Sequence, residues 1–543
     1  MEEDVDHRVP VLIVGGSLVG LCTSLFLGRH GIRHMLVEKH AGTSKHPRGR
    51  GMNVRTMEVF RVAGVEAQIR EAAAVLADNH GILQGGSLTG DDQEWLFKEI
   101  DPGGALARFS PATWCLCSQN DIEPVLMSVA PTLGADLRFS TELLSFDQDD
   151  TGVTALVKNR DTGEHSTVRA DYLVAADGPR SPVREQLRIG QTGHGDLFHN
   201  VSITFRSRGL AEVVGDRRFI VCYLTKPGAD GALLPVDNEE RWVFHAPWYP
   251  DQGETLEEFT DERCADHIRR AVGAPDLDVE ITGKAQWHAA ERVARHYADG
   301  RVFLVGDAAH EMSPTGAFGS NTGIQDAHNL AWKLAAVLDG AAHPRLLQSY
   351  EAERLPVARA TSERASARSA EHSHPGYAPA PGAAGGRQGG VLSVAMGYRY
   401  NAGAVVGADV EQPIVPEQMR LSGDPGSRAP HMWFNRFGER ISTLDLYERT
   451  FVLLSSEGTR WGAAARRAAE RLTMRLEVYE IGTGPDAGLV PEEGGDWTEV
   501  HGTTAEGAIL VRPDGFVAWR SPKGESDPEG VLFEVLSTLL GRA

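Results

Sequence analysis

The sequence of 543 residues carries a formal net charge of -21 at pH 7, with 41% hydrophobic and 24% charged residues. That length predicts two or three domains, and the acidic balance argues against nucleic acid or an anionic membrane as a partner. The sequence lacks an apolar stretch of transmembrane length and a signal-peptide pattern, so we expect a cytoplasmic protein. No C-x-x-C motif occurs, which indicates free thiols and no metal site. The cysteines are Cys22, Cys115, Cys117, Cys222 and Cys264.

A nucleotide-binding pattern opens the chain. An apolar strand is predicted over 9–14, followed by a glycine-rich turn, a helix to about residue 29 and a strand over 34–37 that ends at Glu38. In such a βαβ unit the first glycine makes the turn, the helix N-terminus receives a pyrophosphate and the acid accepts from a ribose hydroxyl. Ser17 replaces the usual second glycine and obstructs the backbone only mildly. The residues of the turn are Gly15, Gly16, Ser17, Leu18, Val19 and Gly20.

The next segments alternate between loops and short elements. Residues 46–58 are a Gly- and Arg-rich loop leading into a helix, which either is a solvated basic loop or lines an anionic ligand. Residues 75–114 look irregular, and a polar residue at 118–120 is predicted to cap a helix. Residues 137–175 read as strands of a meander. The last strand ends at Asp177-Gly178-Pro179-Arg180-Ser181, which by itself is compatible with a β-turn and a helix cap.

Residues 199–290 carry a second set of strands and read as a substrate domain, with a helix predicted over 260–271. The strand candidates are 200–205, 219–224, 241–246 and 278–287. Most aromatic side chains at strand positions fill a core, and some would face a flat ligand. The aromatic residues at strand positions are Tyr223, Trp242, Phe244 and Trp287.

The stretch 301–334 combines a buried strand, a carboxylate and a long helix. The apolar run 302–305 delivers Asp307 to the carboxyl end of a strand, which is where ligands bind in open α/β sheets. Ser320 or Asn321 is predicted to cap the helix that follows, and the positive end of that helix would favour negative charge on a ligand.

The last part of the chain has its own pattern. Residues 371–390 are rich in Pro, Gly and Ala and indicate a loop or linker. Beyond them we predict a strand at 451–454, a helix at 461–472, a strand at 476–481, a hairpin over 509–520 and a C-terminal helix at 531–541. That order suggests a thioredoxin-like domain. It contains no cysteine, which excludes dithiol chemistry and leaves packing or oligomerisation as its role; we expect a monomer or a homodimer.

Three dispersed motifs occur in an order that resembles the class A FAD-dependent monooxygenases. They are GGSLVG with Glu38, DGPRSPVR at 177–184, and GDAAH followed by NTGIQDAHNLAWKL within 306–334. The C-terminal domain, GYRYNA at 397–402 and PTGAFGSNTGIQDAH resemble in particular the bacterial aromatic polyketide hydroxylases of anthracycline and angucycline tailoring.

This resemblance implies an α/β fold with distinct domains. A Rossmann-type FAD-binding domain would comprise 1–185 and 290–370, and a para-hydroxybenzoate-hydroxylase-like substrate domain of α+β type would comprise 186–289. A linker would follow at 371–399, and a thioredoxin-like domain at 400–543.

The resemblance also implies the chemistry. NADPH or NADH would bind transiently and reduce FAD, O2 would add at flavin C4a, and the hydroperoxide would hydroxylate a phenolic ring of a polycyclic aromatic substrate in antibiotic biosynthesis. A Baeyer–Villiger monooxygenase on the same scaffold and a non-catalytic flavoprotein that binds polyketides remain alternatives. A flavin-dependent halogenase is disfavoured because the W-x-W-x-I-P segment is absent.

Site residues follow from the resemblance residue by residue. Asp307 would hold the ribityl chain, the Pro314 backbone would lie beside the flavin, and Asp177 and Arg184 would be inner structural parts of the site. Arg399 is a candidate polar group near the substrate, with a surface arginine as the alternative. The cofactor residues implied are Gly15, Gly16, Ser17, Leu18, Gly20, Glu38, Lys39, Arg48, Gln119, Leu144, Asp177, Gly178, Asp307, Pro314, Gly319, Ser320 and Asn321. The substrate residues implied are Tyr223, Trp242, Phe244 and Phe318.

Overall fold

The computed structural model describes residues 5–47, 49–314, 316–371, 390–484 and 487–543. The first elements are β1 (His7–Val14), α1 (Leu18–Arg29), β2 (His34–Val37), β3 (Gly51–Met52), α2 (Val54–Val62), α3 (Glu66–Ala72), β4 (Gly81–Gly85), β5 (Glu94–Phe97), β6 (Cys115–Leu116), α4 (Gln119–Val129), β7 (Ala135–Arg138), β8 (Thr141–Asp149), β9 (Gly152–Asn159), β10 (His165–Ala175) and α5 (Pro182–Gln186).

The middle of the chain continues with β11 (Gln191–Arg206), α6 (Gly209–Val214), β12 (Phe219–Leu224), β13 (Gly231–Pro235), β14 (Arg241–Trp248), α7 (Asp261–Val272), β15 (Glu280–Ala294), β16 (Ala298–Asp299), β17 (Val302–Leu304), β18 (His310–Glu311), α8 (Phe318–Leu338) and α9 (Gln348–Glu371). The last elements are α10 (Val391–Met396), β19 (Trp433–Arg436), β20 (Glu439–Ser442), β21 (Phe451–Ser456), α11 (Trp461–Leu472), β22 (Leu476–Ile481), β23 (Val490–Pro491), α12 (Trp497–Val500), β24 (Ala508–Val511), β25 (Val517–Ser521) and α13 (Pro528–Leu539).

The first sheet runs in the order β16-β17-β10-β1-β2-β7, with β9 pairing β10 and β8 pairing β9. Strands β17, β10, β1, β2 and β7 are parallel neighbours. Their side chains pack with α1 and α8 in one large apolar core. Because the carboxyl ends of parallel strands share one edge, the predicted motifs that follow β1, β10 and β17 come together there. The predicted Rossmann-type arrangement is therefore confirmed.

The second sheet has the order β18-β15-β11-β14-β13-β12-β4-β5, and α7 covers one of its faces. Here the structure departs from two sequence predictions. Residues 81–85 and 94–97, predicted as irregular and as part of the first domain, form β4 and β5 on the edge of the second sheet. The reason is a long-range parallel pairing of β4 with β12. No local sequence pattern in 75–114 predicts that pairing.

The C-terminal sheet has the order β22-β21-β24-β25, in which β21 and β22 are parallel and the other neighbours antiparallel. Helices α11 and α13 pack on it. The predicted strand, helix, strand, hairpin and helix order is confirmed. Of the predicted linker, residues 372–389 lie outside the described residues, whereas 391–396 form α10. Within the described residues, no helix has the length and apolar character needed to cross a membrane.

Candidate active site

The glycine-rich turn after β1 has a backbone shape that only glycine accepts. Gly15 has φ +110°, and a Cβ placed on it would lie 2.2 Å from the carbonyl oxygen of Ala176. A Cβ at Gly20 would lie 1.9 Å from the carbonyl oxygen of Gly15, so α1 sits directly on the turn. Glu38 Oε2 accepts a hydrogen bond from the Gly16 N–H at 2.7 Å. The acid at the end of β2 and the turn after β1 therefore form one unit.

Ser17 links this turn to α4. Its Oγ donates to Glu123 Oε1 at 2.8 Å. Gln119 Nε2 donates to Ser17 Oγ at 2.7 Å and to Glu123 Oε1 at 2.6 Å. The side chain of Gln119, which the family resemblance selected, thus reaches from α4 to Ser17, the residue before α1. Sequence analysis missed Glu123, although its position four residues after Gln119 puts both on one face of a helix.

The motif 177–184 is tied to the segment after β17. Arg184 donates to the carbonyl oxygens of Ala308 at 2.9 Å and Pro179 at 2.8 Å. Asp177 Oδ2 accepts from the Val183 N–H at 3.1 Å, and burial raises the pKa of Asp177. The other carboxylate oxygen, Oδ1, is buried without a hydrogen-bond partner among the described residues. This oxygen is available to a ligand that donates a hydrogen bond.

The turn after β17 presents Asp307 with an exposed side chain at the carboxyl end of the strand. The backbone around it is packed too closely for larger residues. A Cβ at Gly306, which has φ +60°, would lie 2.9 Å from Val19 of α1, and a Cβ at Gly323 of α8 would lie 2.8 Å from Gly306 Cα. This junction joins α1 and α8 at the edge of the sheet and holds Asp307 in a fixed place.

The start of α8 differs from the prediction. The helix begins at Phe318, and the residue before it, Ala317, has a left-handed φ of 54° with no side-chain cap. Asn321 is instead buried inside the first turn. Its Oδ1 accepts from the Asn53 N–H at 2.9 Å, and its Nδ2 donates to the carbonyl oxygens of Gly51 at 2.8 Å and Ala317 at 2.6 Å. The capping prediction for Ser320 and Asn321 is therefore wrong, because Asn321 is used to fix the segment of residues 49–53.

The second sheet presents a row of small and aromatic side chains toward the segment of residues 49–53. Strand pairing aligns Tyr223, Ala232, His245, Ser202 and Ala285 side by side on adjacent strands. We call this row, together with Trp287, the inner face. His46 Nε2 and Ser202 Oγ are hydrogen-bonded at 2.6 Å, and Arg50 donates to the carbonyl oxygen of Pro235. His46 therefore lies against the inner face and Arg50 against the end of β13, and the segment 51–53 is held by Asn321.

Comparison with known proteins agrees with this geometry. Residues 8–365 match the family described as FAD binding domain, and residues 422–543 match the family described as aromatic-ring hydroxylase, C-terminal. A "Putative polyketide hydroxylase" of Streptomyces halstedii is 70% identical over 99% of this chain and 98% of its own. Tetracenomycin A2 monooxygenase-dioxygenase of Streptomyces glaucescens is 42% identical over 99% of this chain and 97% of its own.

A solved structure extends the likeness to three dimensions. Aklavinone-11 hydroxylase, crystallised with FAD and aklavinone, superposes with a TM-score of 0.89 at 37% identity, covering 99% of this chain and all of that one. The chain belongs to the FAD-dependent aromatic-ring hydroxylases. The predicted fold class, enzyme class and cofactor are thereby confirmed.

The structure supports FAD binding by this hydroxylase independently of the comparison with relatives. Gly15 packs against the carbonyl oxygen of Ala176 with no room for a Cβ, and α1 begins beside this turn, so its N-terminus is placed as pyrophosphate binding requires. Asp177 keeps a buried acceptor without a partner among the described residues. Gly319 has no heavy atom within 4 Å of an added Cβ, so the start of α8 is open on that side.

Three other predicted cofactor residues of the hydroxylase are exposed at the surface. Lys39 is exposed, and its carbonyl oxygen accepts from Arg160 at 3.2 Å. Leu144 is 45% exposed, at an irregularity where the pairing of β8 with β9 skips one residue. Pro314 is exposed before α8, and Arg48 lies outside the described residues. These assignments remain predictions.

The structure corrects several substrate predictions for the hydroxylase. Trp242 and Phe244 point to the side opposite the inner face and fill the core beneath α7. Phe318 is buried in a core cluster that includes Val357 and Tyr398. The physical reason is strand and helix periodicity, which puts alternate residues of β14 on opposite faces. Of the predicted substrate residues, Tyr223 alone lies on the inner face, and burial raises its pKa to about 12.

Arg399 is not brought to the inner face either. Its backbone N–H donates to Ile414, its guanidinium donates to the carbonyl oxygen of Pro425 at 3.3 Å, and it forms a β-bridge with Ser427. Its contacts are thus with the segment that leads into the C-terminal domain. Residues that sequence analysis missed, His46, Ser202 and His245, lie at the interface of the two sheets' domains. Side chains alternate between the two faces of a strand, so His245, three residues after Trp242, lies on the opposite face. This alternation could have identified His245 from the sequence.

Proposed function

We propose that this hydroxylase adds one oxygen atom to a phenolic ring of a polycyclic aromatic polyketide, in the cytoplasm and as a step of antibiotic biosynthesis. The observation that carries the proposal is the inner face, where Tyr223, His245 and Trp287 place aromatic rings on the side of the second sheet that His46 contacts. The relatives named for tetracenomycin A2 and aklavinone support a substrate of fused aromatic rings.

FAD bound at this site, once reduced by NADPH or NADH, supplies the chemistry that activates O2. The chain's residues bind and orient it. The turn at Gly15 and the start of α1 would hold the pyrophosphate, Glu38 a ribose hydroxyl, and Asp307 the ribityl chain. The N-terminus of α8 would favour negative charge on the reduced ring. The inner face would position the phenol and exclude water, which protects the oxygen transfer.

The test is stopped-flow spectroscopy of the FAD-loaded protein with NADPH, with and without a panel of polycyclic phenols that includes aklavinone. We expect NADPH oxidation to accelerate with a true substrate, and the product mass to increase by one oxygen. The decisive result is that NADPH oxidation depends on the phenol, because reoxidation of free flavin by O2 requires no phenol.

Other results would overturn the proposal. A product that gains one oxygen as a ring ester would identify a Baeyer–Villiger monooxygenase. Tight phenol binding without accelerated NADPH oxidation across the panel would identify a non-catalytic binder of polyketides. Sedimentation of the same preparation would distinguish the expected monomer or homodimer from a larger assembly.

A further inference from the structure

His245 lies on the inner face with a buried nitrogen that the protein itself does not use. Its Nδ1 atom is buried and has no hydrogen-bond partner among the described residues. A buried nitrogen left without a partner costs free energy comparable to a lost hydrogen bond. A ligand that supplies the missing hydrogen-bond partner would explain why this nitrogen is left unpaired by the protein.

The surroundings of His245 suit a flat ligand. Its ring lies against Trp287, with ring centroids 5.4 Å apart and an angle of 31° between the planes. On one side its strand neighbour is Ala232, and beyond that lies Tyr223. Strands in a sheet are about 4.8 Å apart, so the backbones at Tyr223 and His245 are roughly 10 Å apart, with the small side chain of Ala232 between them. We therefore expect a ring system to bind over Ala232, between the two aromatic rings.

The charge of His245 is also determined by its position. Burial, followed by the nearby positive charges of Arg50 and His46, lowers its pKa to about 3. The imidazole is therefore neutral at working pH and has one donor and one acceptor nitrogen. In the more common tautomer of a neutral imidazole the proton is on Nε2, which leaves Nδ1 as an acceptor.

We propose that His245 binds the substrate by accepting a hydrogen bond at Nδ1 from a phenol hydroxyl. This inference rests on the proposed function and deepens it, since it names the group that selects a free phenol over a masked one. His245 would bind and position the substrate and would take no part in proton transfer.

The test compares phenols with their mono-O-methyl ethers by isothermal titration calorimetry on the FAD-loaded protein. Methylation removes the donated proton and keeps the ring system. For the wild-type protein we expect one ether to bind about tenfold more weakly than its phenol, the size expected for one hydrogen bond. His245→Phe should bind both equally, at the level of the ether. His245→Asn, whose amide oxygen can take the place of Nδ1, should restore the preference.

His267→Phe provides the matched control. His267 is a histidine on α7, behind the sheet, and its ring contacts Phe244. This variant should keep the wild-type preference for the phenol. FAD occupancy of all variants, measured from the visible spectrum, reports whether they are folded.

The outcomes separate the two proposals. If the wild-type protein binds and oxidises none of the phenols, the proposed function is wrong and the role of His245 falls with it. If the wild-type protein prefers the phenol and His245→Phe shows the same preference, the proposed function stands and the role of His245 is wrong. A preference lost equally in His267→Phe would also overturn it.

Discussion

At the scale of single residues, the predicted flavin ligand Asp307 is an exposed carboxylate on a tightly packed turn. Asp307 follows β17, and the turn that carries it is fixed between Val19 of α1 and Gly323 of α8. A side chain held in this way can meet a ligand hydroxyl without a large loss of conformational freedom. The packing around Gly306 therefore serves the ligand that Asp307 is predicted to bind.

Asp307→Ala is expected to weaken FAD binding by about 10- to 100-fold, because it removes a charge-assisted hydrogen bond worth roughly 1.5–3 kcal/mol. The measurement is fluorescence titration of the apoprotein with FAD. Asp299→Ala, an exposed aspartate one strand earlier, should leave the affinity unchanged. An unchanged dissociation constant for Asp307→Ala would show that the carboxylate does not hold the cofactor.

At the scale of elements, one asparagine joins three parts of the flavin domain. Asn321 of α8 bonds to the backbone at Gly51 of β3, at Asn53, which caps α2, and at Ala317. The N–H of Gln119 at the start of α4 donates to the carbonyl oxygen of Gly49, on the same segment. The segment of residues 49–53 is therefore held from both sides where it crosses the site.

Asn321→Ala should lower the free energy of unfolding by about 2–4 kcal/mol, because it leaves the buried N–H of Asn53 and the carbonyl oxygen of Gly51 without their partner. FAD affinity should fall as well, since the segment 49–53 loosens. Urea denaturation and FAD titration measure the two effects. Ser320→Ala, at the neighbouring position with no capping bond, should leave the free energy of unfolding unchanged; an equal loss of unfolding free energy in both variants would contradict the assignment.

At the scale of the whole molecule, buried ion pairs connect the C-terminal domain to the flavin domain. Arg512 and Lys333 both pair with Glu353, at 2.8 Å and 2.7 Å, and all three side chains are fully buried. Asp514 pairs with Arg512 at 2.5 Å and accepts from Asn329 of α8 at 3.2 Å. The C-terminal domain thus docks on α8, the helix whose N-terminus is predicted to lie at the flavin.

Arg512→Ala should cost about 3–5 kcal/mol of unfolding free energy, because Glu353 and Asp514 are left buried without their shared partner. Chemical denaturation followed by tryptophan fluorescence measures the loss. Arg440→Ala removes an exposed ion pair with Glu492 and should have no measurable effect. A loss for Arg512→Ala no larger than that for Arg440→Ala would mean that the network adds nothing to docking.

Acid is expected to destabilise the hydroxylase. Burial lowers the pKa of His328 to about 3 and, in the C-terminal domain, that of His501 to about 4, against about 6.5 in an unfolded chain. The unfolded chain therefore takes up protons first as the pH falls. The stabilisation from these two histidines is complete above about pH 6.5 and is lost as the pH falls toward their folded-state pKa values, on the order of 3 kcal/mol for each by pH 4.

Buried carboxylates continue this loss at lower pH. Burial acts to raise the pKa of Glu353 and of Asp514, but the positive charge of Arg512 lowers both pKa values below their usual range. The stabilisation from these carboxylates is therefore lost only when they become protonated. Urea unfolding at intervals from pH 7.5 to 4.5 measures the histidine part. An unfolding free energy that stays constant over that range would contradict the expectation.

The sequence by itself determined the flavin half of this protein. Strand, glycine turn and helix are local patterns, and Gly15, Asp177 and Asp307 each follow directly after an apolar strand. Once those strands are parallel neighbours, the three residues must meet at one edge. The C-terminal order of elements was readable for the same reason, since each element depends on residues near it in the chain.

The tertiary structure alone decided which side of the second sheet faces the flavin domain. Alternation along β14 separates Phe244 from His245 but does not say which of them is turned inward; the packing of α7 against Phe244 settles that. The addition of β4 to β12, the use of Asn321 and the pairing of Glu353 with Arg512 likewise join residues more than a hundred positions apart. Such contacts form only when the domains pack, and no pattern within a short window of sequence encodes them.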